Sequence, residues 1–133
     1  MGYSNGENRD LIIRCAEDCG NSPKKQQLKK LHIAVADNNT SFIMDSVAEQ
    51  VTWNIVGHKP VKGKDRVKEA LKQEITDNVT EIELKNIITH GKTGAVDGTL
   101  LFGDGKVLSF CNIFNFTGAG KNSKIIEIAS YVI

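Results

Sequence analysis

The stretch Val51-Thr52-Trp53-Asn54-Ile55-Val56-Gly57-His58-Lys59-Pro60-Val61-Lys62-Gly63 constrains the fold more than any other part of this chain. It predicts a strand from about Glu49 to Val56, broken by Gly57 and Pro60, followed by the entrance to a helix. Beyond Gly63, Val67, Ala70, Leu71 and Ile75 recur at helical spacing, with lysines and acids on the opposite side. A strand, a turn and a helix in mid-chain leave the rest to be sorted into what comes before and what comes after.

Helical patterns come before. Leu11, Ile12, Cys15, Ala16 and Cys19 recur at helical spacing and stop at Gly20, a good residue just past a helix end. Ser22 then caps a second helix with Pro23 at its first position, and Leu28, Leu31, Ala34 and Val35 form its apolar stripe. Asp37-Asn38-Asn39 ends it, and a short third helix from Thr40 or Ser41 buries Phe42 and Ile43. Strand patterns come after. Ile82, Leu84 and Ile88 alternate with Glu81, Glu83 and Lys85, and Gly91-Lys92 turns the chain back. Strands over about Thr93–Phe102, Val107–Phe116 and Lys124–Ile133 follow, separated by glycine-marked turns. This order is α+β, with helices packed on the concave face of a curved mixed or antiparallel sheet in a cone-shaped roll. Long strands with glycine bends curl, and helices laid across the hollow side leave a cavity at the open end. Inward-facing polar residues of the strands are therefore where function is expected.

Length and charge bound the rest. A chain of 133 residues suits a single domain, expected over 9–133 with an extra N-terminal helix and a disordered tail over 1–8. With 17 basic and 16 acidic side chains, no global field draws it to nucleic acid or to a membrane surface. The lysines at Lys24, Lys25, Lys29 and Lys30 read as the solvated face of a helix. Met1 to Asn8 is polar and lacks the apolar core of a signal peptide, and no apolar run is long enough to span a bilayer. Cys15, Cys19 and Cys111 are odd in number, which suggests reduced thiols and a cytoplasmic location. Cys15 and Cys19 without a second pair make a poor zinc site and read instead as small buried residues. Gly91-Lys92-Thr93 and Gly118-Ala119-Gly120-Lys121 lie in strand turns rather than before a helix, so neither is a phosphate loop. No cofactor and no metal is expected.

The order of elements, the W-x-I-V-G-x-x-P-x-x-G pattern from Trp53 to Gly63 and the F-x-F-x-G-A-G-K pattern from Phe114 to Lys121 resemble the nuclear transport factor 2-like superfamily. That group includes ketosteroid isomerases, SnoaL-like polyketide cyclases, limonene epoxide hydrolase and scytalone dehydratase. The resemblance runs from about Lys24 to Ile133. It implies the fold, and it implies that one scaffold hosts enzymes and binding modules alike. It places Asn54 where an isomerase has its general-base Asp, and Asn112 where it has a protonated, hydrogen-bond-donating Asp. The oxyanion-binding Tyr would fall near Lys30 or Leu31, where there is none. A carboxamide cannot take a proton at neutral pH, so isomerase chemistry through Asn54 is rejected. The Asp-Arg-Asp cluster of the epoxide hydrolase is missing too: Ser130 or Ala129 stands at the matching point, and no Arg follows Arg66.

The expected ligand contacts are Asn54 and Asn112, whose amides either grip a polar group or satisfy backbone and water, with Phe110, Phe114 and Ser130. If Asn54 faces the hollow, Trp53 faces away with Val51 and Ile55 and serves core or dimer packing. Candidate bases are His90, with Asp97 as its partner or itself the base, and His58 in the turn; His32 reads as peripheral. The preferred function is binding of a small apolar molecule. The alternative is a cyclase, isomerase or dehydratase on a small apolar substrate, and a third possibility is a protein-interaction module. Members of the resembled family commonly pair through the outer sheet face. Here Ile125, Ala129, Tyr131 and Ile133 oppose an equally apolar Ile126, Ile128 and Val132, so a homodimer is expected.

Overall fold

Helix α1 (Pro23–Ala36) begins where its cap residues require: Ser22 is extended and its side chain accepts from the Lys25 N–H, with Pro23 at the first position. It ends at Asp37, and Asn38 takes the left-handed conformation at φ 61°. Asn39 accepts from the Phe42 N–H and so caps α2 (Thr40–Ser46) without a linker. The computed structural model describes residues 11–15, 22–74 and 78–133. Within them β1 (Ile12–Cys15) comes first, and β2 (Val47–Ile55), β3 (Val61–Lys62), α3 (Lys64–Glu74), β4 (Val79–His90), β5 (Thr93–Phe102), β6 (Val107–Phe116) and β7 (Ile125–Val132) follow α2.

The strands form a single curved, unclosed sheet in the order β1-β4-β5-β6-β7-β2-β3. It is mixed: β1 runs parallel to β4 and β2 parallel to β7, while the β4-β5-β6-β7 meander is antiparallel. Helix α1 lies over β4 and β5, and α3 over β2 and β3, so the helices cover the concave face. The α+β roll expected from the order of elements is what forms.

One glycine permits a bulge between β4 and β5. The β4–β5 register shifts between Leu84 and Asn86, and Gly98 pairs with Leu84 at this bulge. A Cβ on Gly98 would stand 1.9 Å from the Glu83 carbonyl oxygen, so only glycine lets the two backbones approach this closely. The bulge also reverses the inside–outside parity along β4. Ile82 and Leu84 are buried before it, and Ile87 is buried after it, while Ile88 is 62% exposed. The expected Ile82-Leu84-Ile88 face is therefore corrected at Ile88, because one extra residue flips every later side chain. A similar shift between Asn115 and Phe116 puts Ile125 inside with Ile128, rather than outside with Ala129.

The start of the chain departs most from expectation. Ile12–Cys15 is a strand on the edge of the sheet, not a helix. Two adjacent β-branched isoleucines favour that conformation, and the Arg14–Glu81 ion pair at 2.7 Å ties the strand to β4. Ala16 and Cys19, which completed the helical spacing, lie outside the described residues, as do the tail over 1–8 and Ile75. Cys15 is disulfide-bonded, which corrects the expectation of a reduced thiol at that position; Cys111 is free. At the other end, the Lys24 ammonium donates to the Gly118 and Gly120 carbonyls and sits 4.0 Å over the Phe116 ring. This lysine of the basic cluster is buried and clamps the β6–β7 turn onto α1.

Candidate functional site

Between the helices and the hollow of the sheet lies a cavity of about 140 Å³. Leu31 and Val35 of α1 and Val67 and Leu71 of α3 roof it; Trp53, Phe110 and Phe114 form much of its floor. Its walls are almost wholly apolar. Three side chains break the pattern: His32, Asn112 and Ser130. Asn112 and Ser130 are direct cross-strand partners on β6 and β7, so their side chains stand next to each other.

Each of these polar groups has a partner that fixes its role. The Trp53 indole Nε1–H donates to Ser130 Oγ at 2.9 Å. His32 Nδ1 lies 2.8 Å from the Leu28 carbonyl, which can only accept, so Nδ1 carries the proton. The opposite nitrogen, Nε2, is then an acceptor, and Asn112 Nδ2 donates to it at 3.1 Å. The imidazole stacks on Phe110 and meets Phe114 edge-on, both at 5.5 Å between centroids. Burial among these rings pushes the His32 pKa down to about 4, against a smaller opposing effect of the Leu28 carbonyl. At neutral pH the imidazole is uncharged.

No protein-family model matches the sequence, and no curated protein matches it significantly. Solved structures do match in shape. An NTF2-like protein of unknown function from Cytophaga hutchinsonii superposes with a TM-score of 0.63 at 22% identity, over 81% of this chain and 97% of that one. The epoxide hydrolase/cyclase-like enzyme SalBIII, which acts in pyran ring formation in the polyether salinomycin, gives 0.69 at 18% identity, over 83% and 90%. A putative ketosteroid isomerase from Kribbella flavida gives 0.69 at 12% identity, over 84% and 78%. The fold is NTF2-like.

Within this NTF2-like roll, four of the five expected ligand contacts converge: Asn112, Phe110, Phe114 and Ser130 all line the cavity. Asn54 does not. Its register partner is Ala129, on the convex side, and Trp53 takes the inward position with Val51 and Ile55. The apolar alternation of β2 decides this, because burying three large apolar side chains outweighs burying Thr52 and Asn54. The expected opposition of Asn54 and Trp53 holds, but with the faces exchanged.

The three candidate bases lie elsewhere. His58 is exposed in the turn after β2. His90 pairs with Thr93 at the β4–β5 turn and is exposed, on the parity that the bulge gives Ile88. Asp97 is on the convex face, its carboxylate accepting from Asn86 Nδ2 at 2.9 Å. The His90–Asp97 pair is not formed.

His32, expected to be peripheral, is the residue most underestimated. It lies one helical turn after Leu28 and therefore on the buried stripe, a signal available from spacing alone. Among the described residues no group of three or more His, Cys, Asp and Glu is placed to hold a metal, and no helix is long and apolar enough to cross a membrane.

Proposed function

We propose that this chain is a small-molecule-binding domain whose ligand is neutral, largely apolar and about the size of a single ring. The observation that carries the proposal is the cavity itself: apolar walls broken at adjacent positions by Asn112 and Ser130. Its volume supports the size. An apolar cavity of about 150 Å³ is enough to take up benzene. Its lining supports neutrality, since His32 is the single titratable side chain among the lining residues and burial keeps it uncharged at pH 7. A charged ligand would meet no counter-ion there. The test is thermal: millimolar cyclohexanol raises the melting temperature by mass action if it binds the folded state. No rise at any concentration short of denaturing contradicts the proposal.

A catalytic role of the kind named for SalBIII would have to run through His32, since His58, His90 and Asp97 are outside the cavity. The Nε2 lone pair it would use already accepts from Asn112. Binding is the better-supported reading.

A homodimer is proposed with it. Ile88, Ala95, Ile113 and Ala129 stand side by side across four strands of the convex face, next to Cys111 and Tyr131. Polar chains flank this stripe, with Thr93, Asn115 and Glu127 on one side and Asn86 and Asp97 on the other. An apolar centre with a polar rim suits a second copy of the same face. Light scattering at micromolar concentration tests it: dimer mass for the natural protein and monomer for Ile113→Arg support it, and monomer mass for the natural protein overturns it.

A further inference from the structure

We infer that the ligand of this cavity carries a hydroxyl group, an alcohol or a phenol, because the two polar anchors present opposite hydrogen-bonding polarities to one spot. The inference rests on the binding reading above and deepens it.

The polarity follows from groups that have no choice. Leu28 O cannot donate, so His32 Nδ1 must, and His32 Nε2 must accept. Asn112 therefore turns its NH₂ toward His32. Its Oδ1 points the other way, with no protein partner among the described residues, and is an acceptor. Trp53 Nε1–H can only donate, so Ser130 Oγ accepts from it and keeps its own proton available. The cavity thus offers one acceptor, Asn112 Oδ1, and one donor, the Ser130 hydroxyl, from directly paired residues.

A ligand hydroxyl satisfies both, donating to Asn112 Oδ1 and accepting from Ser130. A ketone or ether satisfies only Ser130 and leaves Asn112 Oδ1 facing a lone pair. A hydrocarbon satisfies neither. A site built to bond a hydroxyl rejects analogues that leave its buried groups unpaired. His32 takes no part in contact with the hydroxyl. It is a positioning residue that keeps the Asn112 amide from turning over.

The test compares cyclohexanol, cyclohexanone and methylcyclohexane, which share one size and shape, by their dissociation constants for the full-length protein. Cyclohexanol should bind on the order of tenfold more tightly than either of the others. In Asn112→Leu the preference over methylcyclohexane should shrink several-fold while methylcyclohexane still binds. In His32→Phe the ratio between cyclohexanol and cyclohexanone should narrow, since the released amide can present either end. A purely structural role for His32 would weaken all three ligands alike. Cyclohexanone binding as tightly as cyclohexanol to the natural protein overturns the hydroxyl inference and leaves the binding reading intact. Failure of all three to bind overturns both.

Discussion

Trp53 Nε1 and Ser130 Oγ are joined by a buried 2.9 Å hydrogen bond that links β2 to β7 diagonally across their parallel pairing. It orients the indole against the cavity and fixes which way the serine proton can go. Ser130→Ala leaves the indole N–H without a partner, at a cost of about 1–3 kcal/mol. Urea denaturation monitored by far-ultraviolet circular dichroism measures it. A change smaller than about 0.5 kcal/mol, the scale of an ordinary surface substitution, contradicts the bond.

The inward turn of Trp53 sends Asn54 to the convex face, beside Ala129. Asn54→Asp should then titrate close to the ordinary aspartate value of about 3.9, because water still reaches the carboxyl group. NMR titration of that side chain decides it. A pKa raised by a unit or more would place the carboxyl in an apolar site and exchange the faces of β2 again.

His32 makes stability depend on pH. Its folded-state pKa of about 4 lies below the ordinary value of 6.5. Between those values the unfolded chain binds the proton more readily than the folded one, so acid favours unfolding. The contribution is absent above about pH 6.5, grows as pH falls, and levels off below about 4. It amounts to roughly 3 kcal/mol of lost stability, at about 1.4 kcal/mol per pKa unit. Denaturation midpoints measured at steps between pH 7 and pH 4 should show this loss, and His32→Gln should remove most of it. Parallel curves for the two proteins would mean that the imidazole is not buried uncharged.

Gly98 is a backbone requirement rather than a packing preference. A methyl group there would collide with the Glu83 carbonyl oxygen and with the Leu84 backbone, neither of which is a flexible side-chain tip. Gly98→Ala should cost about 2 kcal/mol or more. At Gly94 the nearest obstacle is a side-chain tip, Leu28 Cδ1 at 2.7 Å, rather than backbone, so Gly94→Ala should cost less. Thermal melts of the two variants rank them. Equal melting temperatures would show that the β4 bulge does not need the close approach.

Much of the fold can be read from spacing, because amphipathic period and turn chemistry act locally. The α1 stripe of Leu28 and Leu31, its Ser22-Pro23 start and the β4-to-β7 meander all follow from neighbours within a few residues. Phe110, Asn112 and Phe114 were legible as one face because no register shift interrupts β6 between them. Ile88 and Ile125 were not, because each lies beside a bulge whose extra residue, Lys85 in β4 or Ile126 in β7, is not a turn or breaker type. β3 is a two-residue strand whose pairing with Thr52 and Trp53 only the tertiary structure creates. At Asn54 two signals in the sequence oppose each other. Val51, Trp53 and Ile55 form the apolar face of β2, while the resemblance to the isomerases favoured the amide between them.

Nuclear magnetic resonance offers the most direct view of the cavity, because Trp53 is the single tryptophan and its indole N–H gives one isolated signal. Titration with cyclohexanol should shift that signal and the Asn112 side-chain amide pair together, along one saturable curve, while the Asn54 amide pair stays in place. Movement of Asn54 without Trp53 and Asn112, or shifts that never saturate, would contradict a ligand seated between β2, β6 and β7.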